Sequence, residues 1–317
     1  MDVQDWREEA RRARYVVIGP SGWIGRVVLH WIANQMGEKW RDQTLCFGSS
    51  TRDVAGPDGR LMNVLALSEL AHADLSGAIV FHLAYLTKDK TSGLSDTDFF
   101  GANLSIDEAV LDAVEASQPR GIFVASSGAA RDAQTGEGRN LYGITKLLQE
   151  DRFLSHAQQT GLQTLVGRIF NIAGAHINKF DLYAISSFAQ QGLTKGHIEV
   201  SATIPVFRSF LGATDMVEII IAELLTGAPR LSRIDLCGAE LLEMGQIASV
   251  VGQEVSQWNG KQPVTISRPA IDFTRSSSYF GDARPVLELS LRHGIALKSF
   301  QEQTRETVEY VATTLNA

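Results

Sequence analysis

Apolar positions along this chain fall into short β-branched runs alternating with longer segments in which they recur every three or four residues. Tyr15-Val16-Val17-Ile18 stops at Gly19-Pro20-Ser21-Gly22-Trp23-Ile24-Gly25, and a periodic stretch through Leu29, Ile32 and Met36 follows. The pattern predicts strand, glycine turn, helix. A second strand, Thr44-Leu45-Cys46-Phe47, closes on Gly48-Ser49-Ser50-Thr51-Arg52; after a Gly/Pro/Asp loop over 55–60, Leu61 to Leu65 predicts a third. Ala78 to Ala84 is a buried run containing His82, which suits a satisfied core histidine better than a catalyst. Residues 96–117 predict a long helix with Leu104, Val110, Leu111 and Val114 apolar and Asn103 near its middle. Gly121 to Ala125 is another buried strand, ending at Ser126-Ser127-Gly128, and Asn140-Leu141-Tyr142-Gly143-Ile144-Thr145-Lys146 opens a further helix. Strands apolar on both faces and joined by helices predict a parallel sheet covered on both sides.

Past Ile172 the pattern changes. Residues 178–191, 195–209 and 239–278 do not read as further parallel βαβ units, whereas 214–226 and 233–236 return a helix and a strand of the earlier kind. A last helix is predicted over 300–315. No internal repeat or low-complexity segment appears.

The chain has 317 residues, 44% hydrophobic and 21% charged, enough for a large core in one unit or two closely packed ones. Its net charge of -7 argues against a nucleic-acid backbone or an anionic membrane as main partner. Cys46 and Cys237 lie in apolar runs, too few for a disulfide framework and without metal-ligand spacing, so no metal site is expected. The charged start, Met1 to Arg14, and the lack of an eighteen-residue apolar window predict an unanchored cytoplasmic protein.

Candidate chemistry sits at strand ends. A glycine turn between strand and helix allows close backbone approach to a pyrophosphate and aims a helix N-terminus at it. After the second strand, Ser49 and Arg52 stand where a dinucleotide site reads the ribose, with no acid before Asp53. That favours the 2′-phosphate of NADP, although Arg52 also suits a solvated loop. Asn63 is a candidate adenine contact, and Leu83 and Ala84 end a strand that borders such a cofactor. Tyr142 and Lys146, four apart, share one helix face. A cation beside a phenol stabilises the phenolate that a tyrosine acid/base requires.

In sequence order, Gly19 to Gly25, His82-Leu83-Ala84, Asn103, Ser126-Ser127-Gly128 and Tyr142-x-x-x-Lys146 resemble the extended short-chain dehydrogenase/reductase family, in particular its nucleotide-sugar epimerase/dehydratase branch. Gly167-Arg168-Ile169-Phe170-Asn171 and Arg208 to Asp215 extend the resemblance over nearly the whole chain from Tyr15. It implies a Rossmann-type doubly wound parallel sheet with a smaller, sequence-interleaved α/β substrate lobe. Residues 1–173 and 210–237 would form the dinucleotide-binding domain; 174–209 and 238–317 would form the lobe and C-terminal helix.

The resemblance implies a catalytic triad of Ser127, Tyr142 and Lys146. Tyr142 exchanges the proton of the reacting oxygen, Lys146 lowers its pKa and holds the nicotinamide ribose, and Ser127 hydrogen-bonds the same oxygen. The cofactor set is then Gly19, Ser21, Gly22, Trp23, Ile24, Gly25, Ser49, Arg52, Asn63, Leu83, Ala84, Asn103, Tyr142 and Lys146, for NAD(P) with NADP favoured. Substrate contacts fall on Ser127, Asn171, Asn178 and Arg208; Arg268 and Arg275 resemble an R-P-x-x-D-x-x-R stretch of nucleotide-sugar enzymes. Each of these arginines also suits a surface ion pair. The chain departs from the dehydratases, which carry Asp-Glu where Gly128-Ala129 stands, and its segment between Ser127 and Tyr142 is short. The expected activity is ketone reduction or epimerisation of a nucleotide sugar, with a homodimer pairing 96–117 and 141–159. A small-ketone reductase using NADPH is the alternative, and a non-catalytic dinucleotide-binding regulator is disfavoured by the presence of both Tyr142 and Lys146.

Overall fold

A computed structural model of the chain describes residues 6–87, 93–138, 140–226 and 231–316. In chain order the elements begin with α1 (Trp6–Ala10), β1 (Tyr15–Ile18), α2 (Trp23–Met36), β2 (Thr44–Gly48), β3 (Arg52–Ala55), β4 (Leu61–Ala66), β5 (Ile79–His82) and α3 (Asp96–Ser117). Then come β6 (Gly121–Ser127), α4 (Gly128–Thr135), α5 (Leu141–Thr160), β7 (Thr164–Ile169), β8 (Asn171–Ala173), α6 (Ala184–Lys195), β9 (His197–Glu199), β10 (Val206–Arg208) and β11 (Phe210–Gly212). The remainder is α7 (Ala213–Thr226), β12 (Leu231–Leu236), β13 (Leu242–Glu243), α8 (Met244–Trp258), β14 (Thr265–Ser267), β15 (Ser277–Tyr279), α9 (Arg284–His293) and α10 (Phe300–Leu315). Among the described residues no helix is long and apolar enough to cross a membrane.

The chain divides into two units. The first takes the described residues up to Ile169 with Val217–Asp235; the second takes Phe170–Met216 and the described residues from Leu236. The sequence put the first boundary after residue 173 and returned 210–237 to the first domain; 170–173, 210–216 and 236–237 stand in the second unit instead.

The first unit is built on an eight-stranded sheet in the order β12-β7-β6-β5-β1-β2-β4-β3. From β7 through β4 the neighbours run parallel, as two-sided apolar strands require. Strand order reverses beside β1, which has β2 on one side and β5 on the other, and ligands of such sheets bind at the carboxyl ends there. Val16, Ile18, Phe47, Val80, Ile122, Val124 and Val166 are buried together with Val110, Val114 and Phe153 from α3 and α5. Two details differ from the sequence reading. Arg52 is not in a loop but starts β3, which pairs antiparallel with β4 as an edge hairpin. Its four residues are mostly exposed, so no buried alternation marks it. β6 also runs on to Ser127, with α4 directly behind it.

Asn140 starts α5 by accepting a hydrogen bond from the Gly143 N–H at 2.8 Å, and Gly161 ends it in the left-handed conformation, φ +76°. The cap fixes where Tyr142 and Lys146 fall.

In the second unit α6, α8 and α10 pack on one another around Ile185, Phe188, Ile247, Val251, Val308 and Val311. Its strands form small sheets, β13-β10-β15, β11-β8 and β14-β9. β9 with β14 and β8 with β11 are parallel pairs that the sequence reading did not find there. Strands of three residues are too short for alternation to be visible.

Candidate functional site

At the end of β1, Gly19 has φ +99°, and a Cβ there would stand 2.8 Å from the Ala84 nitrogen, so the turn lies directly against the chain leaving β5. A Cβ on Gly25 would come within 2.3 Å of the Gly19 carbonyl, which sets how closely α2 approaches the turn. Gly22, the N-cap of α2, is different: its nearest such neighbour is 3.7 Å away, and no side chain caps the helix. Ser21 and Gly22 are exposed, while Trp23 and Gly25 are buried. The outcome is a shallow backbone cradle at an uncapped helix N-terminus, which fits a pyrophosphate. At its edge an Arg52 guanidinium nitrogen lies 3.5 Å from the Ser21 hydroxyl. Asp53 is turned to the other face of β3, where its carboxylate accepts from Asn63 at 3.3 Å.

Lys146, buried at 4% exposure, donates to the Ala125 carbonyl at 2.7 Å and to Gln149 Oε1 at 2.9 Å. The first bond ties α5 to β6 two residues before Ser127. A second tie is steric: a Cβ on Gly143 would lie 2.4 Å from the Ala129 carbonyl, so the helix turn bearing Tyr142 rests on the start of α4. Ser127 caps α4, its Oγ accepting from the Ala129 N–H at 3.3 Å. Tyr85, just past β5, closes the group. Its ring stands edge-on to Tyr142 at 5.7 Å and lies 3.5 Å from the Lys146 ammonium.

Burial lowers Lys146 from 10.5 to about 7, against the opposing pull of Asp107 and Glu150. For Tyr85, burial first and then the neighbouring Tyr142 and Asp107 raise the phenol far above its ordinary value. Tyr85 therefore stays neutral. The two serines of β6 separate by strand alternation. Ser126 is buried and donates to Glu150 at 2.5 Å, whereas Ser127 is half-buried at the strand end. Glu150 also takes Arg168 at 2.8 Å and Arg233 at 2.7 Å.

Two residues read from sequence as cofactor contacts have partners within the first unit. Asn63 is exposed in the middle of β4, the cross-strand partner of Asp53. Asn103 is fully buried: its carboxamide accepts from the Leu86 N–H at 2.8 Å and donates to the Leu86 and Phe99 carbonyls. It fixes the segment carrying Leu83, Ala84 and Tyr85 and has no donor left over for a ligand.

In the second unit, Arg208 on β10 is half-buried beside its β15 neighbour Tyr279, with the guanidinium 5.9 Å from the ring. It donates to the Phe207 carbonyl, and no carboxylate among the described residues pairs with it. Burial works against its charge. Arg268 takes the ion pair that the sequence reading left open beside a substrate role. It grips both Glu243 oxygens at 2.7 and 2.8 Å and donates to the Ala202 and Ile204 carbonyls, an internal strap rather than a diphosphate ligand. That pairing holds the Glu243 carboxyl down at about 2. Arg275 is exposed and lies 3.4 Å from Asp272. Asn171 donates to the Ser209 and Tyr279 carbonyls, bracing two strands, and Asn178 is half-buried beyond β8.

Tyr85, Asp107 and Gln149 were missed by the sequence reading. Gln149 lies one turn beyond Lys146 on the same helix face, a signal that was there to be used. Nothing local marks Tyr85 or Asp107.

The sequence model of a family described as NAD dependent epimerase/dehydratase family matches residues 15–230. Among solved structures, an epimerase from the methanogen Methanothermobacter thermautotrophicus is similar with TM-score 0.71 and 14% identity, over 100% of this chain and 98% of that one. UDP-N-acetylglucosamine 4-epimerase from Bacillus cereus gives 0.68 at 17% identity over 96% and 97%. RMD from Pseudomonas aeruginosa, complexed with NADPH, gives 0.68 at 20% over 95% and 98%. At these identities the likeness is one of fold. No curated protein sequence matches the chain.

The buried lysine generates a pH dependence. An unfolded chain keeps the Lys146 proton to about pH 10.4, whereas the folded chain releases it near 7. Between those values unfolding takes up a proton, so stability rises with pH, by up to about 1.4 kcal/mol per pH unit. Below the folded value the full penalty of the buried charge applies. Urea unfolding should therefore show the chain gaining on its Lys146→Met variant as pH is raised from 7 to 9. A flat difference across that window would mean that the ammonium stays charged when buried.

Proposed function

Because the chain belongs to the NAD-dependent epimerase/dehydratase family, we propose that it is an NAD(P)-dependent oxidoreductase or epimerase of a nucleotide-activated sugar, with Tyr142 as its general acid and base. The observation that carries this reading is the cluster in which Tyr85 meets both the Tyr142 ring and the Lys146 ammonium, with Lys146 held by the Ala125 carbonyl toward the carboxyl end of the parallel sheet.

Gly19, Gly22 and Gly25 form a cradle that accepts the dinucleotide's pyrophosphate. Ser21 and Arg52 stand at its edge and, with Ser49 after β2, are assigned to the adenosine ribose; Arg52, with no acid bonded to it among the described residues, suits a 2′-phosphate. Bound NAD(P) supplies or takes the hydride. As the substrate's carbon loses hydride, the Tyr142 phenolate takes the proton of its hydroxyl; in reduction Tyr142 returns a proton to the same oxygen. The Lys146 charge stabilises the phenolate, and Ser127 hydrogen-bonds the oxygen on which charge develops. The first turn of α4, opening with Gly128-Ala129, carries no acid to expel a hydroxyl leaving group. Ketone reduction or epimerisation therefore stands ahead of dehydration. Arg208 is the residue assigned to the substrate's diphosphate. The reading includes a homodimer on α3 and α5, where Ile144 and Leu148 are exposed one turn apart.

Tyr142→Phe should leave cofactor affinity nearly unchanged while turnover falls by about two orders of magnitude or more, the scale of a lost general acid. Turnover at the wild-type rate would remove Tyr142 from the chemistry.

In the cofactor titration NADPH should bind more tightly than NADH, and Arg52→Ala should erase most of the difference. Equal affinities in the unaltered chain would assign Arg52 to the solvent instead.

Calorimetry with UDP, GDP, CDP and dTDP tests the substrate class. One of them should bind, and Arg208→Ala should weaken it about ten- to a hundredfold, as expected for one charge-assisted contact. If none binds below millimolar concentration, the small-ketone reductase replaces the sugar-nucleotide enzyme with the Tyr142 chemistry unchanged.

A further inference from the structure

We propose that Gln149, Asp107 and His82 form a buried relay that sets the charge and the aim of Lys146, and that they are positioning residues for the chemistry of Tyr142. The inference rests on the reading of Tyr142 given above.

The chain of contacts is short and dry. Lys146 donates to Gln149 Oε1 at 2.9 Å, Gln149 Nε2 donates to Asp107 Oδ1 at 2.6 Å, and the same oxygen accepts from His82 Nε2 at 2.9 Å. Lys146, Gln149, Asp107 and His82 are all less than 5% exposed. An ammonium only donates and a carboxylate only accepts, so the Gln149 amide has one orientation open to it. Reversing it would set its NH2 against the ammonium and its carbonyl against the carboxylate. The Gln149 and His82 nitrogens, 3.2 Å apart, are then two donors side by side on one oxygen. His82 Nδ1 has no hydrogen-bond partner, which puts the ring proton on Nε2 facing Asp107. Phe153 packs on the ring at 5.2 Å and holds it there.

Charge accounting around Lys146 decides which carboxylate serves it. On α5 it has Tyr142 and Glu150 as ionisable neighbours, past β5 Tyr85, on β5 His82, and on α3 Asp107; β6 contributes the Ala125 carbonyl. Glu150 is already engaged by Arg168 from β7 and Arg233 from β12. Asp107 has no arginine or lysine paired to it among the described residues, so it is the countercharge left for Lys146, one amide away. Both acids favour the ammonium, opposing the desolvation that lowers it. Polar groups from three elements buried in this way stabilise a fold less well than apolar packing, so a purely structural role leaves them unexplained.

The sign of the effect follows. The value near 7 is that of the ammonium facing a neutral Tyr142. Once Tyr142 ionises, phenolate and ammonium hold each other's charge and titrate as a pair. Without Asp107 the ammonium is therefore weakened, the phenolate keeps less of its cation, and Tyr142 ionises at higher pH. The experiment is an ultraviolet titration of phenolate absorbance, taking each protein minus its own Tyr142→Phe counterpart so that Tyr142 alone is read. In the unaltered chain the midpoint should lie below the ordinary tyrosine value of about 10. Asp107→Asn and Gln149→Met should each raise it by about one pH unit. The double variant should shift it no further than the larger single change, because the two act in series. Unmoved midpoints in folded variants would overturn the relay and leave the Tyr142 reading standing. A midpoint at or above the ordinary value in the unaltered chain would overturn the Tyr142 reading and the relay with it. Should Asp107→Asn fail to fold, Gln149→Met decides the question alone.

Discussion

An ammonium buried at the carboxyl end of a parallel sheet is the constraint from which the first unit's arrangement follows. A lysine taken out of water must satisfy its donors and its charge internally, or give up its proton. Here the donors go to a strand carbonyl and to a glutamine, a phenol ring lies against the charge, and a carboxylate stands one amide beyond. These partners come from β6, α5, the segment after β5, and α3. The lysine therefore fixes the relative placement of the elements that present Ser127, Tyr142 and the nucleotide cradle. Stability is given up for this: burial drives the lysine to about 7, and the fold tolerates it because a large apolar core surrounds it.

Backbone approach is the second half of the same arrangement. Side chains on neighbouring elements can adjust by rotamer, but main chain against main chain admits no Cβ, and Gly19, Gly25 and Gly143 are the places where this occurs. Gly19 joins the exit of β1 to that of β5, Gly25 seats α2 on the turn, and Gly143 seats α5 on α4. The first two shape the turn after β1; the third rests the turn of α5 that bears Tyr142 on the start of α4, which follows Ser127. One rule, absence of a side chain at a contact, thus locates the β1 turn and the helix that carries Tyr142 and Lys146 together.

How much of this was legible depended on whether the signal was local. The strands β1, β2, β5 and β6 and the helices α3 and α10 are long enough, and buried enough on defined faces, for periodicity to reveal them. The Tyr142 and Lys146 spacing was readable because helical geometry turns four residues into one face. Strand β3 was not, since an exposed four-residue edge carries no buried alternation, and neither were the three-residue strands of the second unit. Tyr85, Asp107 and His82 belong to a cluster closed by the fold: their partners are tens of residues away, and residue type alone made His82 an ordinary core histidine. Asn103 is instructive in the other direction. Its place in the sequence pattern was read as a cofactor contact, while its carboxamide is used up in holding the segment that ends at Tyr85 and Leu86.

Charge pairing separates supporting residues from those with capacity to act, and sequence cannot supply it. In the second unit Arg268 and Arg208 look alike in the chain, each an arginine near the end of a short β-rich stretch. Arg268 meets Glu243 in a two-pronged ion pair and two carbonyls, so four of its five N–H donors are engaged and its charge is balanced by a carboxylate. Arg208 is half-buried beside an aromatic ring with no acid paired to it among the described residues, a state whose desolvation an anion would offset. The same distinction holds in the first unit, where Glu150 is neutralised by two arginines and a serine while Lys146 stays poised near neutrality. A group whose charge is cancelled contributes to the fold alone. A group held short of cancellation retains an interaction to make with a ligand or a reacting atom, and in the function proposed for this chain that is what distinguishes Lys146 and Arg208 from the ion pairs around them.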